Sequence, residues 1–177
     1  MRAVQAVDTH VTTLFLTKAT PTAVLSRLRD HQFAHIVCDG ILEPGKPFAA
    51  SFKLHNGKRL LLLDIIRSQL PDAEFAFLSG YHTAELTEES IADEVLHLAA
   101  AMHFCGFRSV VGTMGAMADI DGQDLARHFY KSAFSDEEQR GRYYERTAGA
   151  LRNTMLKLRR KRGITLERWV NFVHYGA

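Results

Sequence analysis

The chain has 177 residues, of which 46% are hydrophobic and 24% charged. That length suits one domain with a sizeable core, and that composition excludes an intrinsically unfolded chain. Lys and Arg number 22 against 20 Asp and Glu, so the net charge of +2 is too even for a protein that binds nucleic acid over its whole surface. The two cysteines, Cys38 and Cys105, lie in apolar runs and supply neither a disulfide framework nor a C-x-x-C zinc pair. The start MRAVQAVDTH lacks the apolar segment of a signal peptide, and the longest apolar stretches are broken by charge or His well short of a membrane span. The expectation is a soluble cytoplasmic protein without membrane contact. No repeat, linker or low-complexity tract marks a domain boundary.

In chain order, Val11 to Leu16 (VTTLFL) is β-branched and aromatic and predicts a strand. Thr20-Pro21 supplies an N-cap followed by proline at the first helical position. A helix therefore opens there and runs to about Asp30, with Val24, Leu25 and Leu28 on one face. Phe33 to Cys38 (FAHIVC) predicts a second strand, stopped by Asp39-Gly40. Glu43 to Pro47 is turn-like. Asn56-Gly57 between alternating runs predicts a hairpin, because both residues tolerate the positive φ of a type I′ turn. A short helix is expected from Leu62 to Gln69, ending near Pro71, then a third core strand from Ala73 to Ser79. Thr87, followed by Glu88 and Glu89, caps a long helix that stops at Gly106. Ser109 to Thr113 predicts a fourth strand. Helices follow at about Asp121 to Phe134 and about Tyr143 to Arg162, before a terminal segment, TLERWVNFVHY, to which no element is assigned.

Continuous apolar strands separated by helices imply a mostly parallel sheet covered on both faces, an α/β fold of three layers. In such sheets ligands and chemistry gather past the carboxyl ends of the strands. Those ends are Asp39-Gly40, Gly80-Tyr81-His82 and Met114 to Asp121.

The same three strand ends carry a family resemblance. FAHIVCDGIL is similar to the strand ending in His-Phe-x-Cys-His-Gly of the CHAT domain, a caspase-like cysteine-peptidase module common in fungi. AEFAFLSGYHTAE resembles its Leu-Ser-Ala-Cys-His-Thr motif. SVVGTMGAMADIDG resembles its Gly-Thr-Met-Trp-Ala-Met-Ala-Asp stretch, and ERWVNFVHYG its usual C-terminus. The likeness runs from about Val11 to Ala177 and implies one domain with the three-layer, caspase-haemoglobinase-like fold. In the family such domains usually follow helical repeats or nucleotide-binding regions, and the sequence leaves open whether this one stands free or belongs to a longer protein.

The departures from the family pattern fall on the chemistry. Asp39 stands at the position of the general-base His, and Tyr81 at that of the nucleophilic Cys. The Ala before that Cys is Gly80, and the Trp that lines the family's pocket is Gly115. A Cys-His dyad works because a thiol near neutrality is partly thiolate and an imidazole takes its proton. A phenol with an ordinary pKa of about 10 and a carboxylate near about 4 do not reproduce it. By resemblance Cys38 is a non-catalytic neighbour of the base, and Cys105 lies at a helix end. The altered motifs imply that the chain is not a cysteine peptidase.

Two readings of the altered site remain. In one, the chain is a pseudo-peptidase or interaction module whose vestigial groove holds an unknown peptide, protein or small molecule. In the other, loss of the Trp at Gly115 enlarges a pocket in which Asp39, Tyr81 and His82 form an acid/base set for lyase, isomerase or cyclase chemistry. His82 and His35 match His positions of the family motifs, which makes them packing or hydrogen-bonding residues. With Asp39 they would also make a two-His, one-carboxylate metal set, but the motifs account for both without a metal, and no cofactor is expected. By resemblance Asp119, with Asp121 after it, is the candidate for an acidic specificity pocket. The competing role is a loop Asp capping a helix that begins after Gly122. The basic run Lys157, Arg159, Arg160, Lys161 and Arg162 suits a helix C-terminus better than a nucleic-acid interface. Nothing in the sequence names a substrate, a partner or an oligomeric state.

Overall fold

A computed structural model describes residues 11–41, 49–80, 91–113, 119–134, 143–161 and 163–176. The helices are α1 (Pro21–Asp30), α2 (Leu62–Arg67), α3 (Ile91–Phe104), α4 (Asp119–Ala133), α5 (Tyr144–Arg159) and α6 (Leu166–Val170). The strands are β1 (Phe33–Val37), β2 (Gly40–Ile41), β3 (Ser51–Lys53), β4 (Arg59–Leu61), β5 (Phe75–Ser79), β6 (Ser109–Thr113) and β7 (Phe172–Gly176).

The main sheet has the order β1-β5-β6-β7, with β1–β5 and β5–β6 parallel and β7 antiparallel to β6. Successive side chains of a strand point to opposite faces, so β5 feeds two cores. Ala76 and Leu78 join Leu28, Ile65 and Met102 from α1, α2 and α3. Phe75 and Phe77 join Leu125 and Phe129 of α4 and Leu151 and Leu158 of α5. Every residue of β5 and β6 is buried, which is why both read as unbroken apolar runs rather than alternating ones. The result is the expected mixed α/β arrangement, a mostly parallel sheet between two helical layers.

Local signals set several element ends. Thr20 caps α1 by accepting the Ala23 N–H at 3.2 Å, with Pro21 at the first helical position. After α3, the Gly106 N–H donates to the His103 carbonyl and the Phe107 N–H to that of Met102, the pair of bonds that closes a Schellman C-cap. Gly106 has φ +116°, and a Cβ there would stand 2.7 Å from the Leu70 carbonyl oxygen, so only glycine fits. On α5 the buried residues are Thr147, Ala150, Leu151, Thr154 and Leu158, one stripe at helical spacing. Beyond that helix, Lys161 reaches Asp124 of α4, and Arg159 lies over the Trp169 ring, 5.5 Å from its centre. Two cations of the basic run are thus engaged within the protein.

Four expectations change. Val11 to Leu16 is not a strand: 11–15 have no regular structure and Leu16–Lys18 make a 3₁₀ turn. Phe15 and Leu16 are 56% and 63% exposed, and β propensity amounts to fitting a pleated, half-buried surface that this segment does not meet. The Asn56-Gly57 hairpin forms with both φ positive (58° and 70°). Its strands pair Lys53 with Arg59, however, so the connection spans 54–58 rather than two residues. α4 begins at Asp119, earlier than expected, and α5 ends at Arg159. The terminal segment forms α6 and the edge strand β7. The helix cap expected at Thr87 lies outside the described residues. Among the described residues, no helix is long and apolar enough to cross a membrane.

Candidate functional site

β1 and β5 run parallel with Val37 opposite Ser79, which sets Cys38 and Asp39 beside Gly80 at the carboxyl end of the sheet. A Cβ added to Gly80 would sit 3.6 Å from the Cys38 carbonyl oxygen, an ordinary contact. The alanine that the resemblance leads one to expect would therefore fit, and sterics do not demand glycine.

Asp39 is held by the small antiparallel sheet β2-β3-β4. Its carbonyl accepts the Lys53 N–H at 2.8 Å, and its carboxylate Oδ2 lies 3.8 Å from Lys53 Nζ. The Asp39 side chain is 33% exposed and that of Lys53 56%, so the ion pair is a surface one of modest strength.

Beneath this end lies a polar knot. His35 Nε2 is 3.3 Å from Ser79 Oγ, and Nδ1 is 3.1 Å from the Tyr130 hydroxyl of α4. The imidazole also packs on Phe77, with ring centres 4.9 Å apart. Burial pushes the His35 pKa down to about 4, and burial raises that of the Tyr130 phenol. At neutral pH the imidazole is neutral and the phenol protonated. One assignment satisfies all three groups: Tyr130 O–H donates to Nδ1, and the ring proton sits on Nε2 and donates to Ser79 Oγ. Both ring nitrogens of His35 are thus taken by protein groups, and the knot ties β1, β5 and α4 together below the strand ends.

Burial disfavours ionisation of both thiols. Cys38 is pushed up to about 12, first by burial and then by the negative charge of Asp39. Burial pushes Cys105 up to about 11. Only a thiolate is an effective nucleophile, so neither cysteine is poised to attack a carbonyl at neutral pH.

Of the other expected site residues, Tyr81, His82 and Gly115 lie outside the described residues. Asp119 and Asp121 fall in the first turn of α4. A helix starting at Asp119 rules out their reading as loop residues capping a helix after Gly122. Among the described residues, no group of three or more His, Cys, Asp or Glu is placed to hold a metal ion. Lys53 and Tyr130 were missed in the sequence. The positive-φ Asn56-Gly57 pair marked the hairpin that carries Lys53, but the register that sets it against Asp39 depends on the loop length. Tyr130 carries no motif and meets His35 only because α4 covers this face of the sheet.

A family model described as CHAT domain matches residues 2–177 of the chain. No curated protein matches it.

Proposed function

The chain belongs to the CHAT domain family, a caspase-like family, and we propose that it is a member without cysteine-peptidase chemistry whose strand-end groove binds a peptide or protein partner. The observation that carries this reading is the environment of the residue where the family places its general base. Asp39 offers a carboxylate in an ion pair with Lys53, not an imidazole, and the thiol beside it is held protonated. A carboxylate is by its nature a far weaker base than an imidazole, and Tyr81 at the nucleophile position is a poor acyl acceptor at neutral pH. The folded strand ends, with Gly80 against Cys38, retain the scaffold on which a groove is built. Replacing catalytic residues often leaves a fold as stable as before or more so, which suits a scaffold kept for binding.

The test is restoration. Tyr81→Cys combined with Asp39→His should bring back cleavage of peptides containing Arg or Lys, while the natural chain shows none. Cleavage by the natural chain at a rate matching the double variant would overturn the proposal.

A further inference from the structure

β1 forms one margin of the main sheet, and among the described residues it pairs with β5 alone. Its outer side therefore presents main-chain N–H and C=O groups that no strand takes up. Charged side chains and proline are common guards of such an edge, and FAHIV has neither. Every residue of β5 and β6 is buried, whereas none of β1 is wholly so, and Val37 is 54% exposed. The helix packed on this part of the sheet agrees. α1 sets Val24, Leu25 and Leu28 on one face, yet only Leu28 is buried, while Val24 and Leu25 are partly covered. That is the pattern of a helix whose sheet stops one strand short of it.

The same chain carries a segment with the converse need. Residues 11–16 (VTTLFL) have the β-branched and aromatic content of a strand, but they pair with no strand and leave Phe15 and Leu16 exposed. Leu16 is held at φ +43°, a left-handed backbone that leucine rarely adopts and that extension into a strand would relieve. What holds the segment in place is slight and local. Thr12 Oγ1 lies 3.0 Å from His31 Nε2 at an exposed site, and the Phe15 and Leu16 carbonyls accept the Lys18 and Ala19 N–H groups. Alternation puts Val11, Thr13 and Phe15 on one face and Thr12, Leu14 and Leu16 on the other. Both faces thus bring apolar groups, one set for α1 and one for the side on which Val37 is uncovered. Neither VTTLFL nor FAHIV carries a charged residue at neutral pH, so no repulsion opposes their pairing.

We propose that the open edge of β1 takes residues 11–16 of a second copy of this chain, and that the exchange is reciprocal, giving a dimer joined by two added strands. Within one copy the edge and the segment do not pair, so each copy offers what the other lacks, and a two-fold axis satisfies both at once. Main-chain hydrogen bonds along β1 hold the added strand, and its alternate side chains cover α1 and Val37. The inference is independent of what the strand-end groove binds.

The experiment is sedimentation velocity of the full chain at loadings from about 1 to about 300 µM, with amide exchange measured at the two ends of that range. The chain should pass reversibly from monomer to dimer, and exchange across Phe33–Val37 should slow as the loading rises. Phe15→Asp should weaken the dimer about tenfold, and so should Val37→Lys, while Phe15→Tyr and Val37→Ile should preserve it. Phe15 and Val37 are exposed in the single copy, so the dilute variants should keep the natural thermal midpoint, which separates lost association from lost folding. The proposal is overturned by a monomer at every loading, or by a dimer that Phe15→Asp and Val37→Lys leave intact. It is also overturned by β1 amides equally slow at low and high loading, which would show the segment closed on its own β1.

Discussion

His35 is uncharged at neutral pH because burial pushes its pKa down to about 4, against an ordinary value of 6.5. Between those values the unfolded chain binds a proton that the folded chain does not. The sign follows: stability contributed by the neutral imidazole is complete above about pH 6.5 and is lost as the pH falls toward 4. His35 retains slight exposure, so we expect a loss on the order of 2 kcal/mol from this residue. Urea midpoints at pH 7 and pH 4.5 should differ for the natural chain and differ less for His35→Asn. His174 and His128 are also lowered, first by burial, and act with the same sign, so the variant keeps part of the slope. An equal pH dependence in the two proteins would show that His35 is not the buried neutral base described. At this scale the sequence was legible where a motif marks a strand end, as at Cys38, Asp39 and Gly80. It was silent on Lys53 and Tyr130, whose roles come from a hairpin register and from a helix far along the chain.

The glycine after α3 is decided by both its backbone and its neighbour. Gly106 (φ +116°) would place a Cβ 2.7 Å from the Leu70 carbonyl oxygen, whereas Gly163 (φ +79°) would place one in open space. Gly163→Ala should cost only the left-handed strain, about 1 kcal/mol. Gly106→Ala adds a collision with rigid backbone and should cost about 3 kcal/mol or prevent folding. Thermal melts of the two variants check the ranking, and equal midpoints would refute it. Elements were legible where capping chemistry and periodicity agreed, as in α1, β6 and the stop of α3. VTTLFL failed because strand propensity is satisfied only by a neighbouring strand and a covered face, neither of which local sequence can supply. β7 was missed although Phe172, Val173 and Tyr175 suit a strand, because what makes this short segment a strand is its pairing with β6, which local sequence does not show.

The whole molecule is held by two apolar layers against one sheet, with buried polar ties at its two ends. At the carboxyl ends lies the His35–Ser79–Tyr130 knot. At the amino end of β6, Ser109 Oγ is 2.5 Å from Thr147 Oγ1 and 2.8 Å from His174 Nε2, while Thr147 donates to the Tyr144 carbonyl at 2.7 Å. This second tie joins β6, α5 and β7, so Thr147→Val should loosen the edge strand, at a cost of about 1–2 kcal/mol. Native-state amide exchange at Val173 and Tyr175 would read it, and unchanged protection there would count against it. The architecture was legible because alternating strands and helices with fully apolar strands leave few ways to build a sheet. The site was only half legible, since motifs locate the strand ends but not the partners that other elements bring to them.

The proposed absence of a working thiol in this CHAT domain is put to the test by incubating the natural chain at neutral pH with an acyloxymethyl ketone peptide bearing Arg at its reactive end, followed by intact mass and peptide mapping. We predict no covalent adduct on Cys38 or Cys105, since burial holds both thiols protonated. Stoichiometric modification of Cys38 accompanied by turnover of the matching peptide substrate would show instead a thiol that ionises and attacks.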